Sequence, residues 1–371
     1  MLCKPPRGKG CPVRTRWFVA VAATAAVMVS ACGSTDAGDQ PSGKDAPTIA
    51  LFLPESKTTR YEAFDRPLFE AKVKALCAAC KLLYSNADQD AAKQQQQVEA
   101  ALTQGADVLV LDAVDAGAVA PLVNQAKQKK IPVVAYDRLI SGIAYEYYVS
   151  FNNVRVGEMQ GQALLDALSA AGAAGQSQIV MINGSPTDPS SADYKTGAHK
   201  ILDGKVKIGR EFDTPDWSPD KAQQEMEQAI TALGRDSIAG VLSANDGMAG
   251  GAIAAMKRAG YAKVPPITGQ DAELAAVQRI LTGEQYMTIY LDIRAEAEKS
   301  AELAVALSKG EKPAAPTTVD NGTAKIPAFL LDPIPVTADK VKDTIVKDGF
   351  YKAAEICTAA VAAACTKAGI S

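Results

Sequence analysis

Short apolar runs alternate with helical faces along most of this chain, and that rhythm restricts the fold more than any other feature. Thr48-Ile-Ala-Leu-Phe52, Asp107-Val-Leu-Val-Leu111 and Ile131-Pro-Val-Val-Ala-Tyr136 each have the length and content of a buried strand. Between the second and third, Val119, Leu122, Val123 and Ala126 fall at i, i+3, i+4 and i+7, the spacing of one helix face. A helical segment from Phe69 to Leu76 follows the first strand. The pattern then runs a second time. A helix from Val156 to Leu168 leads to the strand Ile179-Val-Met-Ile-Asn183, and Met226, Ile230 and Leu233 mark a further helix. Strands follow at Ile238 to Ser243, at Pro266-Ile-Thr268 and near Tyr286 to Tyr290, before a charged helix from Ile293 to Leu307. Apolar strands joined by helices call for right-handed βαβ units and parallel sheets. A chain of 371 residues divides better into two lobes than around one core. The expected fold is α/β, with two doubly wound parallel-sheet lobes and ligands at the carboxyl ends of the strands.

The first 32 residues carry an address rather than a fold. Lys4, Arg7, Lys9, Arg14 and Arg16 precede an apolar run from Trp17 to Val29, which ends in Val29-Ser30-Ala31-Cys32. A positive patch, a short apolar core and small residues before a cleavage point make an export signal. The core is too short for a permanent span, which needs roughly 20 residues. The ending resembles a bacterial lipobox, which implies that residues 1–31 are removed and Cys32 is lipidated. Residues 32–47, rich in Ser, Gly and Asp with two prolines, read as a flexible tether to an extracytoplasmic, membrane-anchored protein. Removing five cations and no acids leaves 34 basic against 42 acidic residues. No basic surplus remains for phosphates, so nucleic acid is not an expected partner.

Of the seven cysteines, Cys3 and Cys11 leave with the signal and Cys32 takes lipid. Cys77, Cys80, Cys357 and Cys365 remain, and outside the cell local disulfides are the simplest of three connectivities. A redox role for Cys77-Ala-Ala-Cys80 is the alternative, although no thioredoxin-like strand precedes it. The Gln94 to Gln97 run reads as a solvated helix face, and Ala353 to Ala364 as a short helix tied down by its cysteines.

Polar side chains recur at the strand ends. Lys57, Arg60 and Tyr61 follow the first strand; Asp137 and Arg138 end another; Asn152 and Asn153 end a third. Asn245 and Asp246 follow Ser243-Ala244, and Gly269-Gln270-Asp271 follows Thr268. Taken singly, Asn245-Asp246-Gly247 is a turn and Asp271 a helix cap. Together they suit a neutral polyol, because carboxylates accept hydroxyl protons, Arg donates in a fork and Asn does both. Trp217 or Tyr61 could offer a flat surface to the apolar face of a sugar ring.

Val133-Val-Ala-Tyr-Asp-Arg138, Tyr148-Val-Ser-Phe-Asn-Asn153, Ser243-Ala-Asn-Asp-Gly247, Gly269-Gln-Asp-Ala272, Met287-Thr-Ile-Tyr290 and Lys347-Asp-Gly-Phe350 resemble, in order, segments of the D-xylose-binding periplasmic proteins. The resemblance covers Thr48 to Phe350 and implies a type I periplasmic binding protein. Such a protein is two lobes on a three-segment hinge that close on a monosaccharide and deliver it to an ABC permease. It implies contacts from Arg60, Asp137, Arg138, Asn152, Trp217, Asn245 and Asp271, with Lys57, Tyr61, Asn153 and Asp246 as neighbours. The lobes would be 48–153 with 291–319 and 154–290 with 320–351, followed by a tail at 352–371, in a monomer needing no metal or cofactor. Three positions depart from the family: Leu291 stands for a sugar-binding Lys, Asn152 for an acid, and Tyr61 for a Trp.

Other classes fit less well. A carbohydrate-active enzyme would draw on Asp137, Asp246 and Asp271. However, the sequence lacks a nucleophile elbow, a Walker loop and zinc-ligand spacing, and its one histidine, His199, lies in a polar helical stretch. A repressor would need a helix-turn-helix where the export signal stands. A sugar sensor that presents its closed form to a receptor shares every feature with a transport protein.

Overall fold

The computed structural model describes residues 46–172 and 178–370. The export signal, Cys32 and most of the tether therefore lie outside the described residues. The first lobe is built on a sheet of β1 (Thr48–Leu53), β2 (Lys81–Asn86), β3 (Val108–Leu111), β4 (Val133–Tyr136), β5 (Tyr147–Phe151), β10 (Thr317–Asp320) and β11 (Lys325–Leu331). Their order is β10-β11-β5-β4-β3-β1-β2, and every pairing except the β10–β11 hairpin is parallel.

Strand alternation divides its core into two layers. Ala50, Phe52, Leu109, Leu111 and Ala135 face α2 (Ala91–Thr103) and α3 (Ala120–Gln128) through Val98, Leu102, Leu122 and Val123. Ile49, Leu51, Val108, Val110 and Tyr136 face α1 (Arg66–Leu76) and α9 (Ile293–Ser308) through Phe69, Val73, Ala297 and Ala301. Strands buried on both sides explain the unbroken apolar runs of the sequence.

The second lobe has a parallel sheet of β6 (Gln178–Asn183), β7 (Lys207–Asp213) and β8 (Ile238–Ser243), ordered β7-β6-β8. The strand expected at Pro266–Thr268 is reduced to a bridge from Ile267 to Val241, because the segment serves as a seam. Beyond it, β9 (Met287–Tyr290) pairs antiparallel with β12 (Ile334–Thr337). One face is covered by α4 (Asn153–Ala170) and α5 (Pro189–Leu202), the other by α6 (Pro219–Leu233) and α7 (Asp246–Arg258). The close approach of α4 and α5 depends on Gly157, where a Cβ would fall 1.9 Å from the Tyr194 carbonyl oxygen.

Three sequence expectations are corrected. The sequence places the third crossing between lobes near Asp320, yet the chain stays in the first sheet through Leu331. There β11 runs parallel to β5, and Asn321 ties the hairpin down by donating to the Ile140 and Ile143 carbonyls at 2.9 and 2.7 Å. The crossing falls at Asp332–Pro333. Gln94 is not on a solvated face: it is buried, donating to the Asp112 carbonyl at 2.7 Å and accepting from the Val114 amide at 2.9 Å. The Ala-rich end forms two short helices, α10 (Ala353–Ile356) and α11 (Ala362–Lys367), instead of one. Cys357 and Cys365 are disulfide-bonded with Cα atoms 5.8 Å apart. Eight residues of straight helix would hold them about 12 Å apart. Cys77 pairs with Cys80, completing the local connectivity.

Candidate functional site

The carboxyl ends of both sheets face one another across a narrow cavity of about 20 Å³, room for little more than a water molecule in this closed form. Thr58, Arg60 and Tyr61 reach it from the loop after β1, and Asp137 and Arg138 from the end of β4. Asp188 and Tyr194 come from the start of α5, Trp217 from the turn after β7, and Asn245 from the N-cap of α7. Gln270 and Asp271 come from the seam beside β8.

Each guanidinium sits among carboxylates. Arg60 donates to Asp65 at 3.0 and 2.7 Å, to Glu296 at 2.5 Å and to Asp137 at 3.3 Å. Burial works against its charge, but Asp137, Asp65 and Glu296 hold it protonated. Burial also pushes Glu296 well above the usual carboxyl range, against the pull of Arg60. Tyr61 donates to Asp137 at 3.0 Å and accepts from Arg138 at 3.3 Å. Arg138 also donates to the Ala113 carbonyl at 3.0 Å, while its Nε lies 3.0 Å from Asp188 and 3.4 Å from Asp112. Asp137 has φ of +60°, a left-handed turn that aims it and Arg138 toward the cavity.

The second lobe supplies the flat wall and further acceptors. Trp217 donates Nε1–H to Asp188 at 3.2 Å, and Tyr194 meets its ring edge-on at 6.3 Å. Asn245 spends its oxygen on the Met248 amide at 2.9 Å, leaving its NH2 group free of that cap. Asp271 takes φ of +88°, and burial raises its carboxyl to about 7, against the pull of Arg60. Gln270 is buried and its oxygen has no hydrogen-bond partner among the described residues.

The lobes also touch directly. The Ala116 amide donates to the Thr187 carbonyl at 3.3 Å, the Thr187 hydroxyl to the Val114 carbonyl at 3.1 Å, and the Thr59 amide to Glu273 at 3.4 Å. Phe64 stacks on Phe350 with ring centres 4.3 Å apart. With Arg138 paired to Asp188, these contacts describe a closed cleft.

Seven expected residues line the cavity together: Arg60, Tyr61, Asp137, Arg138, Trp217, Asn245 and Asp271. Four others do not. Lys57 is exposed to solvent, and Asn152 is an exposed cap whose oxygen accepts from the Arg155 amide at 3.1 Å. Asn153 is buried but turned to Ser190 at 3.1 Å. Asp246 is fully buried beneath the seam, accepting from Gln285 at 2.6 Å, Thr288 at 2.8 Å and the Glu273 amide at 2.9 Å. Leu291 is likewise buried among apolar neighbours. Thr58, Asp188 and Tyr194, which the sequence does not mark, also line the wall, as does Gln270 from the Gly269-Gln270-Asp271 set. Asp188 and Tyr194 lie in a polar loop and helix whose sequence looks like any solvated segment.

Gly184 sets the position of Trp217. A Cβ there would lie 2.0 Å from the indole, so no side chain fits between ring and backbone. Gly184→Ala is expected to push the indole out of its slot and red-shift its emission; an unchanged emission maximum would contradict this placement.

Residues 49–312 match the periplasmic binding protein domain family. The chain belongs to that family. It is 36% identical over 313 residues to the D-xylose-binding periplasmic protein of Escherichia coli (strain K12), covering 83% of this chain and 92% of that one. The multiple sugar-binding periplasmic protein of Azospirillum brasilense is 32% identical, over 84% of this chain and 92% of its own. Among solved structures, an ABC transporter solute-binding protein from Clostridium phytofermentans with bound β-D-glucose superposes with a TM-score of 0.77. That protein is 28% identical, over 83% of this chain and 99% of its own. The fold is that of type I periplasmic binding proteins, and the chain is a solute-binding protein rather than an enzyme.

Proposed function

We propose that this chain is the lipid-anchored capture component of an ABC importer and that its cargo is a monosaccharide, xylose or a close relative. The closed cavity carries the reading. Its wall offers carboxylate acceptors at Asp137, Asp188 and Asp271, donors at Arg60, Arg138 and Asn245, and the indole of Trp217. A pyranose ring presents hydroxyls around its rim and C–H bonds on its faces, which is the complement of such a wall. A site that leaves a hydroxyl unpaired rejects that ligand. The named relatives bind D-xylose, several sugars and β-D-glucose, which supports the class of ligand.

Closure is a rotation of the lobes about the crossings at Asn152, Leu291 and Asp332. Asn152 and Leu291, which lie off the cavity wall, remove two groups that the sequence resemblance implies for xylose. Each missing hydrogen bond is worth about 1–3 kcal/mol, enough to reorder preference among pentoses and hexoses. Cys32 is the proposed anchor, and Cys32→Ala should release the protein from the membrane.

Calorimetric titration with xylose, arabinose, ribose, glucose and xylitol tests the reading. At least one sugar should give a saturable heat and raise the melting temperature. If none of them does either, the ligand assignment fails.

A further inference from the structure

One carboxylate at the seam between the lobes has an ion-pair partner in Arg138 but no hydrogen bond among the described residues. Asp112, directly after β3, is fully buried, and neither of its oxygens has a hydrogen-bond partner among the described residues. Its backbone, by contrast, is fully engaged. The amide donates to the Phe52 carbonyl at 3.0 Å, and the carbonyl accepts from Gln94. Gln94 also holds the Val114 amide, so the residue is clamped from both sides. The main chain that carries the Asp112 side chain is therefore fixed.

The cation that would satisfy it is Arg138, on the same lobe. In the closed structure the Nε of that guanidinium is shared between two carboxylates and hydrogen-bonded to neither. Its Nε lies 3.0 Å from Asp188 of the opposite lobe and 3.4 Å from Asp112, and its other nitrogens are given to Ala113 and Tyr61. Two carboxylates compete for one arginine: Asp112, whose tie lies within a lobe, and Asp188, whose tie exists only when the lobes meet. Asp137 and Arg60 are the other charged groups whose fields reach Asp112.

We propose that Asp112 is a positioning residue that opposes ligand-free closure by holding Arg138 on its own lobe when the cleft is open. Closing divides the arginine between Asp112 and Asp188 and leaves a buried carboxylate without hydrogen bonds, which is unfavourable. Contacts with the ligand offset that penalty, so the closed form is populated when the cavity is filled. Burial places the Asp112 carboxyl well above its usual range, in keeping with an unsatisfied site. The inference deepens the binding reading and rests on it.

Asp112→Leu keeps the approximate shape and removes the competitor. Without sugar, the variant should be more compact than the parent in small-angle X-ray scattering. With sugar, its Kd should fall about tenfold through slower dissociation, the scale of one unsatisfied buried group. Asp112→Ala should move both readouts the same way if the leucine variant folds poorly. Weaker binding in both variants would mean that Asp112 merely supports Arg138, and unchanged scattering and dissociation would mean that it does nothing; either overturns the proposal. If the parent binds no sugar, the binding reading falls, while the ligand-free scattering still tests Asp112.

Discussion

Arg60→Met should cost the protein about 3–5 kcal/mol of stability near pH 8 and abolish measurable sugar binding. The guanidinium is ion-paired with Asp65, Asp137 and Glu296, the one cation paired with them among the described residues, and Tyr136 donates to Asp65 from beneath. A methionine fills similar space but leaves three buried acids facing one another. Glu296, already raised by burial, loses the charge that pulls it down. A carboxyl whose folded pKa lies above its unfolded value stabilises the fold fully below the unfolded value, about 4 for an acid of this kind. That stability is lost as pH rises through the folded value. The variant should therefore melt higher near pH 5 than near pH 8, with a steeper pH dependence than the parent. A parent-like melting temperature near pH 8 would show that the three acids do not need this arginine.

Asp271→Asn should weaken sugar binding roughly 10- to 100-fold near pH 8, the range for a hydrogen bond to a charged group. Asparagine tolerates the left-handed backbone at this position better than most residues, so the fold should survive. The pH profile separates charge from shape. In the parent, Asp271 titrates at about 7, so lowering the pH through that value protonates an acceptor and affinity should fall. The stability of the ligand-free protein should move in the opposite direction. A raised carboxyl contributes stability below its unfolded pKa, and that contribution disappears as pH climbs through about 7. Calorimetric titration across this range should give a sloping affinity for the parent and a flatter one for the variant. Parallel slopes would remove Asp271 from the ligand's contacts.

The layered fold was legible because parallel strands buried on both faces leave unbroken apolar runs, as at Val108–Leu111 and Val133–Tyr136. The limits of the first sheet were less so. An edge hairpin at 317–331 has half-exposed strands and no such run, so nothing local announced that β11 returns to β5. Cavity residues that directly follow a strand, such as Asp137 and Arg138, could be read from position alone. Asn152 and Asp246 follow strands too, but one caps α4 and the other braces the seam from below. A strand end gives the neighbourhood of a side chain, not its direction. Asp188 and Asp112 were missed because their significance is relational: each matters through Arg138, which lies far away in sequence. Gln94 misled for a similar reason, since the backbone it clamps is invisible in a run of glutamines.

The crowding of acids around both arginines also decides what the cleft ignores. Arg60 and Arg138 are the cationic side chains on its wall among the described residues, and each already faces at least two carboxylates. A phosphorylated sugar or a sugar acid would surrender its hydration and find no free counter-ion in return. The walls therefore act as an electrostatic sieve. Titration with a sugar and with its phosphate should therefore show binding of the neutral compound alone.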